Sequence, residues 1–175
     1  MLPNLPPDDQ LSFTTERLRL DPLTADDATD LFPVLDDPSL GRFTGERPPD
    51  GVGSLRARFE GWERRRSPDG TELWLNWTIR LREGDRAVGL WQATIADDET
   101  AIAWTIGSAY QRRGFAIEAG RALLPWLRTT IGDATIVAWI HPAHLASQAV
   151  ARRIGMRPTN RVRDGEIAWE AARPA

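Results

Sequence analysis

Residues 106–118 read Ile106-Gly107-Ser108-Ala109-Tyr110-Gln111-Arg112-Arg113-Gly114-Phe115-Ala116-Ile117-Glu118, and this stretch decides the fold. Before it, residues 100–107 (TAIAWTIG) are β-rich and end at a glycine. After it, Ala116, Ala119, Leu123 and Leu127 recur at helical spacing over 115–128. The segment is therefore a strand, a short loop and a helix start. A helix N-terminus presents backbone N–H groups without partners and the positive end of the helix dipole. Gly114 has no Cβ to keep an anion away, Ala116 keeps the first turn open, and Arg112 and Arg113 add positive charge. A pyrophosphate suits such a place. Charge and glycine alone equally suit an ordinary helix start with exposed arginines.

Working outward, residues 15–20 (TERLRL) alternate as a half-buried strand does, and Thr24 with Asp27 forms a capping-box pattern before a helix that runs to about Leu35. Residues 38–53, rich in Pro and Gly, read as an irregular connection, and 54–66 as a polar helix. Three strands over 72–82, 86–96 and 100–107, separated by acidic turns, predict an antiparallel meander. Beyond the central helix, where Pro125 predicts a kink or a tightened last turn, come a buried strand at 134–140 and a helix at 144–154 with Gly155 after it. Two strands at 156–162 and 166–171 close the chain. The order β-α-α-β-β-β-α-β-α-β-β gives an α+β (mixed α/β) class, with one right-handed parallel crossover in a mostly antiparallel sheet. Residues 1–12 read as a flexible leader and 13–175 as a single domain.

Composition narrows the chemistry. The chain has 175 residues, 41% of them hydrophobic and 27% charged, an ordinary soluble balance. No apolar run approaches a membrane span and the N-terminus has no signal-peptide pattern, so the cytoplasm is the expected location and no membrane partner is expected. With no cysteine, a thiolate zinc site and an acyl-cysteine intermediate are excluded. All 22 basic residues are Arg, so a Walker lysine, a Schiff base and a lysine base are excluded as well. A net charge of −3 without a long basic run argues against nucleic acid. His141 and His144, the only two histidines, lie three apart, but no cysteine or convergent acid accompanies them and no metal is expected.

Gln111-x-x-Gly114-x-Ala116 resembles the Q/R-x-x-G-x-G/A phosphate loop of the GNAT acetyltransferases. The segment TERLRLDPLTADDA resembles the opening strand and helix of that family's RimJ/RimL-like branch, AIAWTIGSAYQRRGFAIEAGRALL its central strand, loop and helix, and HPAHLASQAVARRIGM its HPxNxxSxxVxxKxGF segment. The resemblance spans roughly residues 15–158. It implies a GNAT fold, with a splayed gap between the strands at 100–107 and 134–140. Acetyl-CoA would place its pantetheine arm there, against the backbone of Trp104, Thr105 and Ile106. Its pyrophosphate would sit on Gln111, Arg112, Arg113, Gly114, Phe115 and Ala116. Direct transfer of acetyl to a primary amine, in a protein N-terminus or a small molecule, is implied, and a homodimer is a family-level expectation.

The resemblance also nominates Ser147, the serine of the last motif, for the CoA sulfur. Three positions depart from the family pattern. His144 stands where relatives often carry an Asn that touches the ligand, and as an imidazole that can still donate a hydrogen bond it is counted with Ser147 among the expected cofactor-binding residues; Ala101 stands where many carry Glu; and Tyr110, the only tyrosine, precedes the phosphate loop. Glu99, two residues before Ala101 and on the same strand face, is the candidate base, acting through water. The tryptophans Trp77 and Trp91 are read as core, or as facing the acceptor. A non-catalytic domain that senses acyl-CoA is the competing reading, kept open by Ala101 and His144.

Overall fold

The computed structural model describes residues 2–5, 7, 10–132 and 134–171. A short hairpin of β1 (Phe13–Thr14) and β2 (Leu18–Pro22) leads through a 3-10 turn (Ala25–Asp27) into α1 (Ala28–Leu35). A second 3-10 turn (Leu40–Arg42) and α2 (Val52–Glu63) follow, then the meander β3 (Leu73–Leu81), β4 (Ala87–Ile95) and β5 (Glu99–Ile106). A 3-10 turn at Ser108–Tyr110 enters α3 (Phe115–Ile131), followed by β6 (Thr135–Ile140), α4 (Leu145–Arg153), β7 (Met156–Arg163) and β8 (Glu166–Ala171). The element order is the one that the hydrophobic pattern predicts, except for the added two-residue strand β1 at Phe13–Thr14. All eight strands form one sheet in the order β1-β2-β3-β4-β5-β6-β8-β7.

Local chemistry explains most boundaries. Asp27 takes the Thr24 backbone N–H at 2.8 Å, so the predicted capping box starts the first helical segment. The predicted strand at 15–20 begins later, at Leu18, because Thr15 turns back to bond the Leu18 carbonyl. Pro125, where a kink or a tightened last turn is expected, lies on the exposed side of α3, and the helix continues through it over Phe115–Ile131. A proline inside a helix lacks its N–H and crowds the carbonyl four residues back, here that of Arg121.

The sheet buries both faces. On one side Leu123 of α3 and Ala151 of α4 share a core with Trp77, Trp91 and Ile102 of the sheet, and on the other Leu31 of α1 and Phe59 of α2 share one with Leu90. Trp77 and Trp91 are 1% and 0% exposed, which corrects the alternative that either one faces an acceptor. The Trp77 indole N–H reaches the carbonyl of Leu11 at 2.8 Å, so the last apolar residue of the stretch read as a leader lies in the core. Gly89 permits the tightest approach between strands. A Cβ built there would lie 2.1 Å from the Thr105 carbonyl oxygen.

Candidate functional site

β5 and β6 are the only parallel neighbours among the described strands, and their ladder is short. It pairs Glu99 with Thr135, Thr100 with Ile136 and Ala101 with Val137, and then stops. β5 runs on to Ile106 and β6 to Ile140, so the strands part beyond Ala101 and leave a wedge open toward their C-terminal ends. On its other edge β5 stays paired with β4 up to Ile106. Antiparallel alternation fixes which peptide groups face which way. The Gly107 N–H bonds to Val88 O at 3.0 Å, so Ala101, Ala103, Thr105 and Gly107 turn their backbone to β4. Ile102, Trp104 and Ile106 turn theirs to the wedge. Of the three residues expected to meet a pantetheine arm, Trp104 and Ile106 therefore present backbone, and Thr105 does not: its N–H and C=O belong to the β4 ladder. The carbonyl of Ile106 already accepts the Gln111 amide at 2.9 Å, which ties the loop to the end of the strand.

The loop 111–114 carries two left-handed residues, Arg112 (φ 61°) and Gly114 (φ 82°). For Arg112 that conformation is uncommon, and left-handed residues of this kind are among those that build anion-binding backbone nests. The first intrahelical bond of α3 runs from the Glu118 N–H to the Gly114 carbonyl at 3.0 Å. The N–H groups of Phe115, Ala116 and Ile117 thus have no acceptor within their helix. A Cβ at Gly114 would meet only the Arg17 guanidinium, at 3.5 Å. Arg112 and Arg113 are exposed at the mouth, with Arg113 over the Tyr110 ring at 5.9 Å. The six loop residues singled out in the sequence are together, at the wide end of the wedge.

Pattern reasoning missed what braces this loop. Arg17 reaches over it from the β1–β2 hairpin, donating to the Arg113 carbonyl at 3.0 Å and lying 4.8 Å above the Phe115 ring. It also pairs with Glu118 at 2.6 Å. The Glu118 carboxylate accepts three further bonds: from the Thr15 hydroxyl at 2.6 Å, the Arg17 N–H at 2.9 Å and the Arg17 Nε at 2.7 Å. Burial works to raise the pKa of this carboxyl, but the bonds from Thr15 and Arg17 outweigh it and hold the group below the usual range. No local signal could reveal a pairing across 101 residues.

α4 follows β6 and packs against β6, β7 and α3. His144 caps it, its Nδ1 accepting the Ser147 N–H at 3.4 Å, while Nε2 lies 3.1 Å from the Ser147 hydroxyl. Phe43, from the connection after α1, stacks on the imidazole with centroids 4.4 Å apart, and sits 5.6 Å from the His141 ring. Burial, and then the charge of His141, pull the His144 pKa below its ordinary value. Glu99 is placed differently. It lies at the paired end of β5, on the far side of Ala101 from the opening, and its carboxylate pairs with Arg161, which also binds Glu170 at 2.8 Å. Among the described residues no three His, Cys, Asp or Glu side chains converge as metal ligands, and no helix is long and apolar enough to cross a membrane.

The profile of the acetyltransferase (GNAT) domain matches residues 17–157. No curated protein matches the chain. Among solved structures, an acetyltransferase from Agrobacterium tumefaciens shares 22% identity at a TM-score of 0.70, the match covering 97% of this chain and 96% of that one. A GCN5-related N-acetyltransferase from Brucella melitensis shares 22% at a TM-score of 0.69, covering 97% of this chain and 81% of that one. RimL, a ribosomal L7/L12 alpha-N-protein acetyltransferase solved in complex with coenzyme A, shares 17% at a TM-score of 0.71, covering 89% of this chain and 93% of that one. At these identities the likeness concerns the fold.

Proposed function

The chain belongs to the GNAT acetyltransferase family, and we propose that it moves acetyl from acetyl-CoA to a primary amine by direct transfer in a ternary complex, as a RimJ/RimL-like enzyme of the cytoplasm. The observation that carries this reading is the junction of the wedge with the loop at 111–116. A strand edge lacking its β partner can pair with an extended amide-bearing arm, and a helix N-terminus beside it can take the arm's phosphates. Pantetheine pyrophosphate has that chemistry in that order. Trp104 and Ile106 would bond the arm through backbone, and Thr105 would contribute its side chain. Gln111, Arg112, Arg113, Gly114, Phe115 and Ala116 would hold the phosphates. Residues 13–175 would act as one domain, and a homodimer fits the same family reading.

In this scheme the neutral amine attacks the thioester carbonyl carbon, the carbonyl electrons move to oxygen and return, and the carbon–sulfur bond breaks with its pair on sulfur. Ser147, in the first turn of α4, would donate a hydrogen bond from its hydroxyl to the departing thiolate, which takes its proton from solvent as the amine gives one up. Glu99 is the proposed base; Arg161 holds it at the closed end of β5, so it would reach the amine proton only through intervening water. The amine is a protein N-terminus or a small molecule.

Calorimetric titration of wild type and Gly114→Glu with acetyl-CoA tests the reading. The expected outcome is micromolar binding, abolished when a carboxylate fills the loop, followed by thiol release with at least one member of an amine panel. A folded wild type that binds neither acetyl-CoA nor CoA refutes it. Binding without turnover across the panel favours an acyl-CoA sensor.

A further inference from the structure

The Arg17 side chain is held at both of its working ends. Nε and Nη2 donate to the Glu118 carboxylate at 2.7 and 2.6 Å, and Nη1 donates to the Arg113 carbonyl at 3.0 Å. The hairpin that carries Arg17 is tied down as well: the Arg82 N–H donates to the Arg17 carbonyl at 2.9 Å, and the Arg82 guanidinium to the carbonyls of Thr15 and Glu16 at 3.2 and 3.1 Å. The carbonyl that Arg17 holds belongs to the peptide between Arg113 and Gly114. In a planar trans peptide the C=O and the N–H point in opposite directions, so fixing one fixes the other. The Gly114 N–H therefore points away from the guanidinium, and among the described residues it has no acceptor. Glycine adopts negative φ as readily as the 82° found here, so this peptide can turn over at little local cost, much as type I and type II turns interchange. The Gln111 amide anchors only the other end of the loop, on Ile106. The choice between the two orientations of the 113–114 peptide falls to Arg17.

We infer that Arg17 is a positioning residue for the phosphate loop: by holding the Arg113 carbonyl it keeps the Gly114 N–H turned outward and free for the pyrophosphate of acetyl-CoA. The inference rests on the transferase reading above, which puts the phosphates on this loop. Arg17 acts through the backbone and not as a free positive charge, because Glu118 neutralises it at 2.6 Å. Glu118 in turn is set by the Thr15 hydroxyl at 2.6 Å and the Arg17 N–H at 2.9 Å, so the lock is assembled before any ligand arrives.

The test compares wild type, Arg17→Gln, and Arg17→Gln combined with Glu118→Gln, a pair that leaves the net charge unchanged. Amide NMR of the unliganded proteins reads the peptide without any cofactor. Gly114 should give one sharp signal in wild type and a shifted or exchange-broadened one in both variants. Calorimetry with acetyl-CoA should then show Kd raised roughly tenfold in both variants, the worth of one hydrogen bond to a charged group. Thiol release at saturating acetyl-CoA should give a kcat within about twofold of wild type, because the loop lies away from the reacting carbon. A Kd restored in the double variant overturns the inference, since it would show that the guanidinium acts by its charge on the phosphates. An unmoved Gly114 signal, or a kcat that falls along with the affinity, also overturns it and leaves Arg17 as a support of α3 alone. A wild type that binds acetyl-CoA, with variants of equal Kd, overturns this role and leaves the transferase reading standing. A folded wild type that binds neither acetyl-CoA nor CoA sinks the transferase reading itself, and with it this role.

Discussion

Replacing Gly89 by alanine adds a single carbon at the point where β4 and β5 approach most closely. The new Cβ would lie 2.1 Å from the Thr105 carbonyl oxygen, 3.0 Å from Ile106 Cδ1 and 3.1 Å from Ile106 Cα. A carbon–oxygen contact is comfortable at about 3.2 Å, so the strands must move apart by roughly 1 Å, and backbone cannot swing aside as a side chain would. The position is central, with Val88 fully buried before it and Trp91 fully buried after it. Overpacking of this kind costs about 1–3 kcal/mol, and the rigid partner places Gly89→Ala at the upper end, about 2–3 kcal/mol. For a chain of this size that is about 5–10 °C in Tm, read by calorimetry or by circular dichroism in urea. The displaced residues are also the end of β5 that faces the wedge, so affinity for acetyl-CoA should fall several-fold. A variant within about 0.5 kcal/mol of wild type, with an unchanged Kd, would show that the β4–β5 register is looser than described and refute the reasoning.

Two further perturbations probe the surroundings of the site. The Glu118 carboxyl, depressed in the folded protein, stabilises the fold above its unfolded pKa of about 4.3, and this is lost as pH falls through the lower folded value. Glu118→Gln should cost about 1 kcal/mol at neutral pH, allowing for the exposure of Arg17, and flatten the acid limb of a stability–pH curve; an unchanged limb argues against the brace. Gly120→Val should destabilise by about 2–3 kcal/mol, because a Cβ there already meets the buried Trp91 ring at 2.7 Å and Ile154 at 3.0 Å. Denaturant unfolding reads this directly, and a neutral result would mean that α3 can lift off the sheet without penalty.

The sheet and its helices were legible because each strand's alternation and each helix's period agreed with the turns between them. The loop at 111–116 was legible as an anion site for the same reason: glycine, arginines and a helix start lie together in the sequence. The parting of β5 from β6 came only through family resemblance, since nothing in the residues 134–140 says where a ladder stops. The Arg17–Glu118 brace and the Phe43–His144 stack join segments about a hundred residues apart, and such pairings have no local signature.

The wedge gives β5 two clocks. On the edge facing β4, the amides of Ala103 and Thr105 are locked in a ladder at the centre of the sheet, and their hydrogens exchange with deuterated water only when the sheet itself opens. On the opposite edge, the amides of Trp104 and Ile106 belong to the same strand but lie beyond the end of the β6 ladder, and should exchange as though they lay at the rim. Neighbouring residues in one strand should thus differ in exchange rate by orders of magnitude, and an occupant lying along the wedge would slow the fast set to meet the other.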